Sequence, residues 1–351
     1  MSPDVTRIAT IKRTFLETAF LLFGVLGLTI IILLVAGAPP LTALNAIFMG
    51  SLGSWLKIAR VLTVWIPLTL CACGLVYSFR IGLWNIGVEG QVVAGAIIST
   101  WILRLGADST VPTITLILAF IGGMIGGGLW ATMTGFLKTK AGVNEIFAGL
   151  GLNFVALGIT LWLIFGPWKR PGVASMSGTQ PFSPELWLPT IPSLRLPPMG
   201  LVLAVAAVLS TAWVLNRSRL GLALRGIGNN PRAAYLHGLK PDFYVICAMG
   251  LAGGFAGLAG AFQVTGVYHR LIPTISSNYG YLALLVVMLA NYRILGTPAI
   301  AFFFACLNVG SIQLPMMLQL DSSLSGIIQG ILVIGTLFLQ GWRTRQQNVG
   351  S

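Results

Sequence analysis

The chain has 351 residues, of which 56% are hydrophobic and only 8% charged, with 43 glycines and a mean hydropathy of +0.89. A water-soluble fold of this size has too little interior for so much apolar surface, so the chain reads as an all-α, polytopic integral membrane protein with one transmembrane domain over residues 1–351. The net charge of +13 does not mark a nucleic-acid partner, because the basic residues stand singly between apolar runs and act as topology signals.

Apolar stretches, measured against the roughly 20 residues needed to cross a bilayer, predict ten spans: about 15–36, 58–78, 90–105, 113–137, 146–166, 199–216, 243–267, 281–297, 298–317 and 324–341. Arg7, Lys12 and Arg13 precede an apolar run that ends in Ala36-Gly37-Ala38, which resembles a signal-peptide cleavage site. The run Thr18–Ala36 is longer than the usual signal core, so it is expected to remain as the first span. With the amino terminus inside, the cytoplasmic segments hold Arg7, Lys12, Arg13, Arg80, Lys138, Lys140, Arg217, Arg219, Arg225, Arg232, Lys240, Arg293, Arg343 and Arg345. The external segments hold only Lys57, Arg60, Arg104, Lys169, Arg170, Arg195 and Arg270. This asymmetry favours both termini in the cytoplasm.

Between the second and third spans lies FRIGLWNIGVEGQ (79–91). A charged side chain at the centre of a span costs on the order of 2.5–3.5 kcal/mol on insertion scales, so Glu89 has to face protein or water. Gly82, Gly87 and Gly90 weaken regular helix here, and broken backbone at membrane depth is tolerated only where it is buried in protein or lines a cavity. In a local helix Asn85 and Glu89 share one face, with Gln91 nearby. Two readings fit: a polar stretch of a substrate path, or a hydrogen-bonded knot that pins a broken helix.

The fourth and seventh spans carry glycine runs, GGMIGGG at 122–128 and GGFAGLAG at 253–260. Neither is followed by Lys-Ser or Lys-Thr, so they are not phosphate loops. Spaced by four, as in Gly122 and Gly126, Gly123 and Gly127, and Gly253 and Gly257, they let helices approach closely. The fifth span opens with VNEIFAGLGLN (143–153). Asn144 and Glu145 stand at a helix start, where an acid complements the helix dipole or pairs with Lys138 or Lys140. Asn153, two turns deeper, is the stronger candidate for the pathway or for helix packing. Residues 167–198 carry eight prolines with Trp168 and Trp187, which forbids a long helix and favours an ordered cap at the external headgroup level.

Residues 217–242 form a basic island with Arg217, Arg219, Arg225, Arg232 and Lys240 against the single acid Asp242. Gly228, Asn229, Asn230 and Pro231 are expected to make a turn that opens a short amphipathic helix. A surface helix held in a cytoplasmic loop is a docking element for a soluble partner. Cys71, Cys73, Cys247 and Cys306 sit in apolar runs and suit packing better than disulfides or metal ligands. His237 and His269 are isolated, no Walker-type nucleotide site occurs, and no catalytic constellation is present, so the chain is not expected to be an enzyme or to bind a metal or cofactor.

Three motifs in order carry a resemblance: Asn85-Ile86-Gly87-Val88-Glu89-Gly90-Gln91; Val143-Asn144-Glu145-Ile146 followed by Leu152-Asn153; and Gly228-x-Asn230-Pro231-x-Ala233-Ala234-x-x-x-Gly238. Over about residues 40–315 the chain resembles the permease subunits of bacterial ABC importers, in the branch of branched-chain amino acid, ribose and simple-sugar systems. The uninterrupted NIGVEGQ is most similar to the nucleoside and simple-sugar members. Two departures stand out: Met288-Leu289-Ala290-Asn291-Tyr292-Arg293-Ile294-Leu295-Gly296 replaces a Leu-Leu-Gly-x-x-x-Pro-x-Gly pattern, and Gly149 and Gly151 replace bulkier residues.

The resemblance implies a multi-pass protein of the bacterial inner membrane that forms the path for a nucleoside or simple sugar. Asn85, Glu89, Gln91, Asn144, Glu145 and Asn153 are the candidate pathway residues. Arg225, Gly228, Asn230, Pro231, Arg232, Ala233, Ala234 and Gly238 are the candidate coupling residues, with the two alanines small enough to sit in a partner's groove and the arginines placed to meet its acids. The implied partners are ABC ATPase subunits that bind the ATP, a second, paralogous permease, and a solute-binding protein. A ribose-type sugar or an amino acid is the alternative cargo. An ion-coupled carrier is the rival mechanism, but it needs ionisable groups that titrate in the membrane, for which only Glu89 and Glu145 qualify.

Overall fold

The computed structural model describes residues 39–172 and 178–312, together with isolated helical positions among 27–34 and 330–338. Among the described residues the regular structure is helical apart from one isolated bridge between Ile191 and Leu196. The chain divides into two compact units, Ala59–Ala305 and a second formed by Met1–Ile58 with Cys306–Ser351.

Among the described residues six helices are long and apolar enough to cross a membrane: α2 (Trp55–Arg80), α3 (Val88–Leu105), α4 (Pro112–Ala141), α5 (Glu145–Phe165), α6 (Pro198–Arg217), and α9 (Pro241–Phe262) with its π-helical extension to Tyr268. They coincide with the spans expected at 58–78, 90–105, 113–137, 146–166, 199–216 and 243–267. The shorter helices are α1 (Pro40–Leu52), α7 (Arg219–Asn229), α8 (Pro231–Leu236), α10 (Tyr279–Leu289) and α11 (Thr297–Ser311). Proline opens α1, α4, α6, α8 and α9, where its missing N–H and fixed φ suit a first helical turn.

Two readings change. The full span expected at 281–297 is replaced by α10, which covers 11 residues; α11 occupies the described part of the span expected at 298–317, whose residues beyond 312 lie outside the described residues. At 1.5 Å per residue α10 reaches only about 16 Å, half the hydrocarbon thickness. The break between them lies at residues 290–296, where Asn291 (φ 51°) and Tyr292 (φ 59°) take left-handed backbone that ends a helix. Helix α1 is an addition that the hydropathy reading omits. The spans expected at 15–36 and 324–341 lie almost wholly outside the described residues.

In the larger unit α3, α4 and α9 pack as a three-helix core. Their seam is built from glycine. A β-carbon on Gly127 would collide with Gly253 O, one on Gly257 with Gly123 O, and one on Gly95 with Gly257 Cα. Backbone therefore rests on backbone, the close approach that small residues allow between membrane helices. Gly122 and Gly126 instead face Ile98 and Ile102 of α3. Buried residues of α2, including Ile66, Leu68, Leu70 and Leu75, fill the adjoining apolar cluster, and Tyr77 stacks on Phe255 of α9 at 5.9 Å between ring centroids.

The unit has two chemically distinct ends. At the basic end Lys138 meets Glu145 at 2.6 Å, Lys140 meets Asp242 at 3.4 Å, and Gly228 lies against Arg80 O. At the other end residues 178–188 form a cap on the π-helical turn. Thr179 N donates to Leu271 O (2.9 Å), Phe182 N to His269 O (2.9 Å) and Leu188 N to Thr265 O (3.0 Å). Trp187 stacks on the His269 ring at 4.0 Å. Arg104 at the end of α3 lies over the Trp168 ring, 5.4 Å from its centroid.

Candidate functional site

Two non-helical segments meet inside the larger unit. Residues 81–87 follow α2 from the basic end, turning at Gly82, whose φ of 84° favours glycine. Residues 270–278 follow the π-helical turn from the capped end and close with left-handed Ser277 (φ 49°) and Asn278 (φ 60°). Each segment delivers a helix start, α3 at Val88 and α10 at Tyr279. The helices then run apart, α3 towards Arg104 at the capped end and α10 towards Tyr292, whose ring lies 5.1 Å from that of Phe79. Their amino-terminal ends therefore face each other.

Glu89 sits between them. It is in the first turn of α3 and accepts a hydrogen bond from Tyr281 N of α10 at 3.0 Å, with Gly280 packed against it and Ser276 close by. Two helix amino termini thus converge on one buried carboxylate, which satisfies an orphan N–H group and opposes the positive ends of both dipoles. Asn85 and Gln91 close a reciprocal pair of amide bonds at 3.0 and 2.8 Å. Because α3 begins only at Val88, Asn85 does not share a helix face with Glu89.

Asn153, in the third turn of α5, ties this arrangement to a neighbouring helix. Its Oδ1 accepts from Gly90 N at 2.8 Å, and its Nδ2 donates to Ile86 O at 3.0 Å and Tyr281 Oη at 3.3 Å. The contact needs glycine: a β-carbon on Gly90 would stand 2.8 Å from Asn153 Oδ1, and one on Gly149 would stand 2.7 Å from Gly87 N. On the other side Gln263, at the start of the π-helical turn, donates to Ile275 O (3.2 Å) and Ser277 Oγ (3.4 Å), and Tyr268 Oη pairs with Ser277 Oγ at 3.0 Å. Sequence reasoning misses Gln263, Ser276, Ser277 and Tyr281. The available signal was a polar cluster beside an apolar run too long to break without reason.

The remaining expected pathway residues lie at the basic end. Asn144 caps α5 through Ile146 N at 2.8 Å, and Glu145 pairs with Lys138, so these two are apart from the Glu89 group. In the basic island Asn230 Oδ1 accepts from Ala233 N at 3.0 Å, capping α8 behind Pro231. Gly228 and Asn229 belong to the end of α7 rather than to a turn. Gly238 supplies the left-handed residue after α8 (φ 82°). Arg225 and Arg232 are exposed and Ala233 is half-buried, but Ala234 is buried in the protomer's own core. The outward residues of α8 are Tyr235, 67% exposed, and Leu236, 84% exposed. With Pro231, Arg232 and Pro241 they line an open apolar groove of about 480 Å³.

Long apolar helices, broken segments that meet at depth and a capped helix on a basic loop define a multi-pass membrane transport protein. The chain belongs to the family described as branched-chain amino acid transport system / permease component, whose profile matches residues 57–337. It is 29% identical over 335 residues to the glucose ABC transporter permease protein TsgB13 of Haloferax volcanii, covering 90% of this chain and 87% of that one. It is 27% identical over 310 residues to the guanosine ABC transporter permease protein NupP of Bacillus subtilis, covering 87% of each. A second guanosine permease protein of that organism, NupQ, is 27% identical over 256 residues, covering 68% of this chain and 76% of the relative. The chain is thus a permease component of that family, similar along most of its length to ABC permeases named for glucose and guanosine.

Proposed function

We propose that the protein is the membrane half of an ATP-driven importer for an uncharged solute, a nucleoside or simple sugar, in the bacterial inner membrane. The observation that carries this reading is the seat of Glu89. In transporters built on broken helices, half-helix amino termini receive anionic groups of the substrate. Here the protein's own carboxylate occupies that position at two such termini. The arrangement suits a neutral polar solute better than the carboxylate of an amino acid. The relatives named for guanosine and glucose agree with it.

ATP is bound and hydrolysed by a separate ATPase, since the chain has no nucleotide motif. That subunit docks on α8, where Tyr235 and Leu236 enter an apolar pocket and Arg225 and Arg232 meet acids at its rim. A paralogous permease completes the pathway, as the two guanosine permeases of Bacillus subtilis suggest, and a solute-binding protein delivers cargo to the capped end. An ion-coupled carrier is disfavoured because Glu145 is paired with Lys138 and Glu89 is engaged by a helix N–H group.

The test is uptake into vesicles that contain the permease with its ATPase, second permease and binding protein. Guanosine or glucose uptake is expected to require ATP at the ATPase side and the binding protein on the other. Uptake driven by a proton or sodium gradient without ATPase overturns the mechanism, and preferential leucine uptake overturns the cargo class. Leu236→Asp places an uncompensated charge in the docking contact and is expected to lower uptake and substrate-stimulated ATP hydrolysis about tenfold or more, with membrane insertion unchanged. Full uptake by this variant would remove α8 as the docking element.

A further inference from the structure

The polar side chains around Glu89 are turned towards one another inside the protomer. The Asn85 and Gln91 amides pair with each other through one N–H and one carbonyl oxygen apiece and are fully buried, and the Glu89 carboxylate is held by Tyr281 N. Asn153 has one amide orientation: its oxygen must accept from Gly90 N and its nitrogen must donate to Ile86 O. Both of its N–H groups are then used, one on Ile86 O and one on Tyr281 Oη. The residues that looked like solute ligands are occupied as scaffold.

Tyr281 differs. Its hydroxyl oxygen accepts from Asn153, but a phenol also has a proton to donate, and among the described residues no acceptor takes it. Its side chain is on the protomer surface, 38% exposed, beside an asparagine that stands about 12 Å along α5 from the helix start at the basic end. A phenol and an amide facing lipid at that depth are unfavourable, so this face borders a hydrated path or the partner subunit. Its position is fixed from behind, because its own N–H is tied to Glu89 and its hydroxyl to Asn153.

We propose that Tyr281 is the residue through which this permease contacts its cargo, with Glu89 and Asn153 as positioning residues that hold the ring. A fixed aromatic face with one spare O–H fits a flat heteroaromatic ring that carries hydrogen-bond acceptors, which is the base of a nucleoside. Stacking supplies base-independent affinity, and the O–H selects for an acceptor at the ring edge. This rests on the reading of the protein as an importer of neutral solutes and names the nucleoside as the cargo.

The experiment uses the assembled transporter in vesicles, with guanosine and guanosine analogues that each lack one ring or exocyclic acceptor. Tyr281→Phe keeps the ring and the backbone N–H and removes only the hydroxyl. It is expected to raise the KM for guanosine about five- to tenfold, the equivalent of one net hydrogen bond, and to erase the preference for guanosine over at least one analogue. Tyr281→Ala, which also loses stacking, is expected to raise KM further. Tyr292→Phe, at the aromatic contact with Phe79, is the control that leaves KM and selectivity unchanged. If the native transporter carries guanosine and both Tyr281 variants keep its KM and its analogue selectivity, the proposal is overturned while the importer reading stands. If Tyr281→Phe instead abolishes assembly, the hydroxyl is a packing group and the proposal is equally overturned. Glucose uptake without any nucleoside uptake by the native transporter removes the nucleoside assignment and leaves the importer reading in place.

Discussion

Glu89 is a helix cap supplied from another helix, and its charge and its shape have separate consequences. Glu89→Gln preserves volume but replaces the charged acceptor of the Tyr281 N–H by a neutral amide, half of which is an N–H₂ donor. Hydrogen bonds to charged groups are worth about 1.5–3 kcal/mol, so a clear fall in the thermal stability of the detergent-solubilised protein is expected together with loss of transport. A variant with native stability and native uptake would exclude the capping role. His269 provides a pH dependence at the capped end. Its Nδ1 faces Thr265 O at 3.0 Å, a carbonyl that can only accept, so Nδ1 carries the hydrogen of the neutral ring. Burial pushes the imidazole below its ordinary value of 6.5, outweighing that hydrogen bond. The unfolded segment then takes up a proton before the folded one. Stability of the cap is full above 6.5 and is lost as pH falls below it. Hydrogen exchange over residues 178–188 should therefore accelerate on acidification, and His269→Asn should flatten that dependence. Asn85, Glu89, Gln91 and Asn153 are legible from sequence because each is costly in lipid. Their partners are not, because Tyr281 lies 192 residues from the carboxylate it binds.

At the scale of elements, hydropathy locates the six long helices because each is one uninterrupted apolar run of sufficient length. It fails at α10, where LALLVVMLANYRILG reads as continuous apolar chain but turns at Asn291 and Tyr292. Nothing local distinguishes a half-helix whose start is capped by a remote carboxylate from a full span. Helix α8 shows the reverse error. Its cap at Asn230 and its proline are readable, yet the residue type suited to a tight contact, Ala234, is used inwards, and the exposed contact falls to Tyr235 and Leu236. The glycine runs of α4 and α9 are read correctly as packing, because four-residue spacing puts them on one stripe. Gly257→Val places branched carbon where Gly123 O already stands. Overpacking of this kind costs roughly 1–3 kcal/mol where neighbours can yield, and backbone yields less than side chains do. A large drop in folded yield, measured by size-exclusion chromatography after solubilisation, is the expected outcome; native yield would show that the seam opens without cost.

For the molecule as a whole, the sequence supplies the class and the structure supplies the division of labour. Basic residues at 138–140 and 217–240 gather at one end of the larger unit, and the proline-rich segment with Trp168 and Trp187 gathers at the other. That polarity follows from charge asymmetry alone. The meeting of two broken segments between these ends does not, because it depends on α3 and α10 starting at the same depth from opposite directions. A permease that alternates the exposure of its path has to change shape, and the described helices differ greatly in how closely they are packed.

The glycine seam decides where that freedom lies. Packed side chains accommodate sliding by exchanging rotamers, a step at a time; carbonyls resting on bare Cα atoms have nothing to exchange. Helices α4 and α9 are in effect welded, a single strut that turns as one piece or stays still. Bending is left to the short α10, which is flanked by non-helical chain at 270–278 and 290–296. The proposed cargo contact on α10 and the glycine seam are thus different pieces of the same chain.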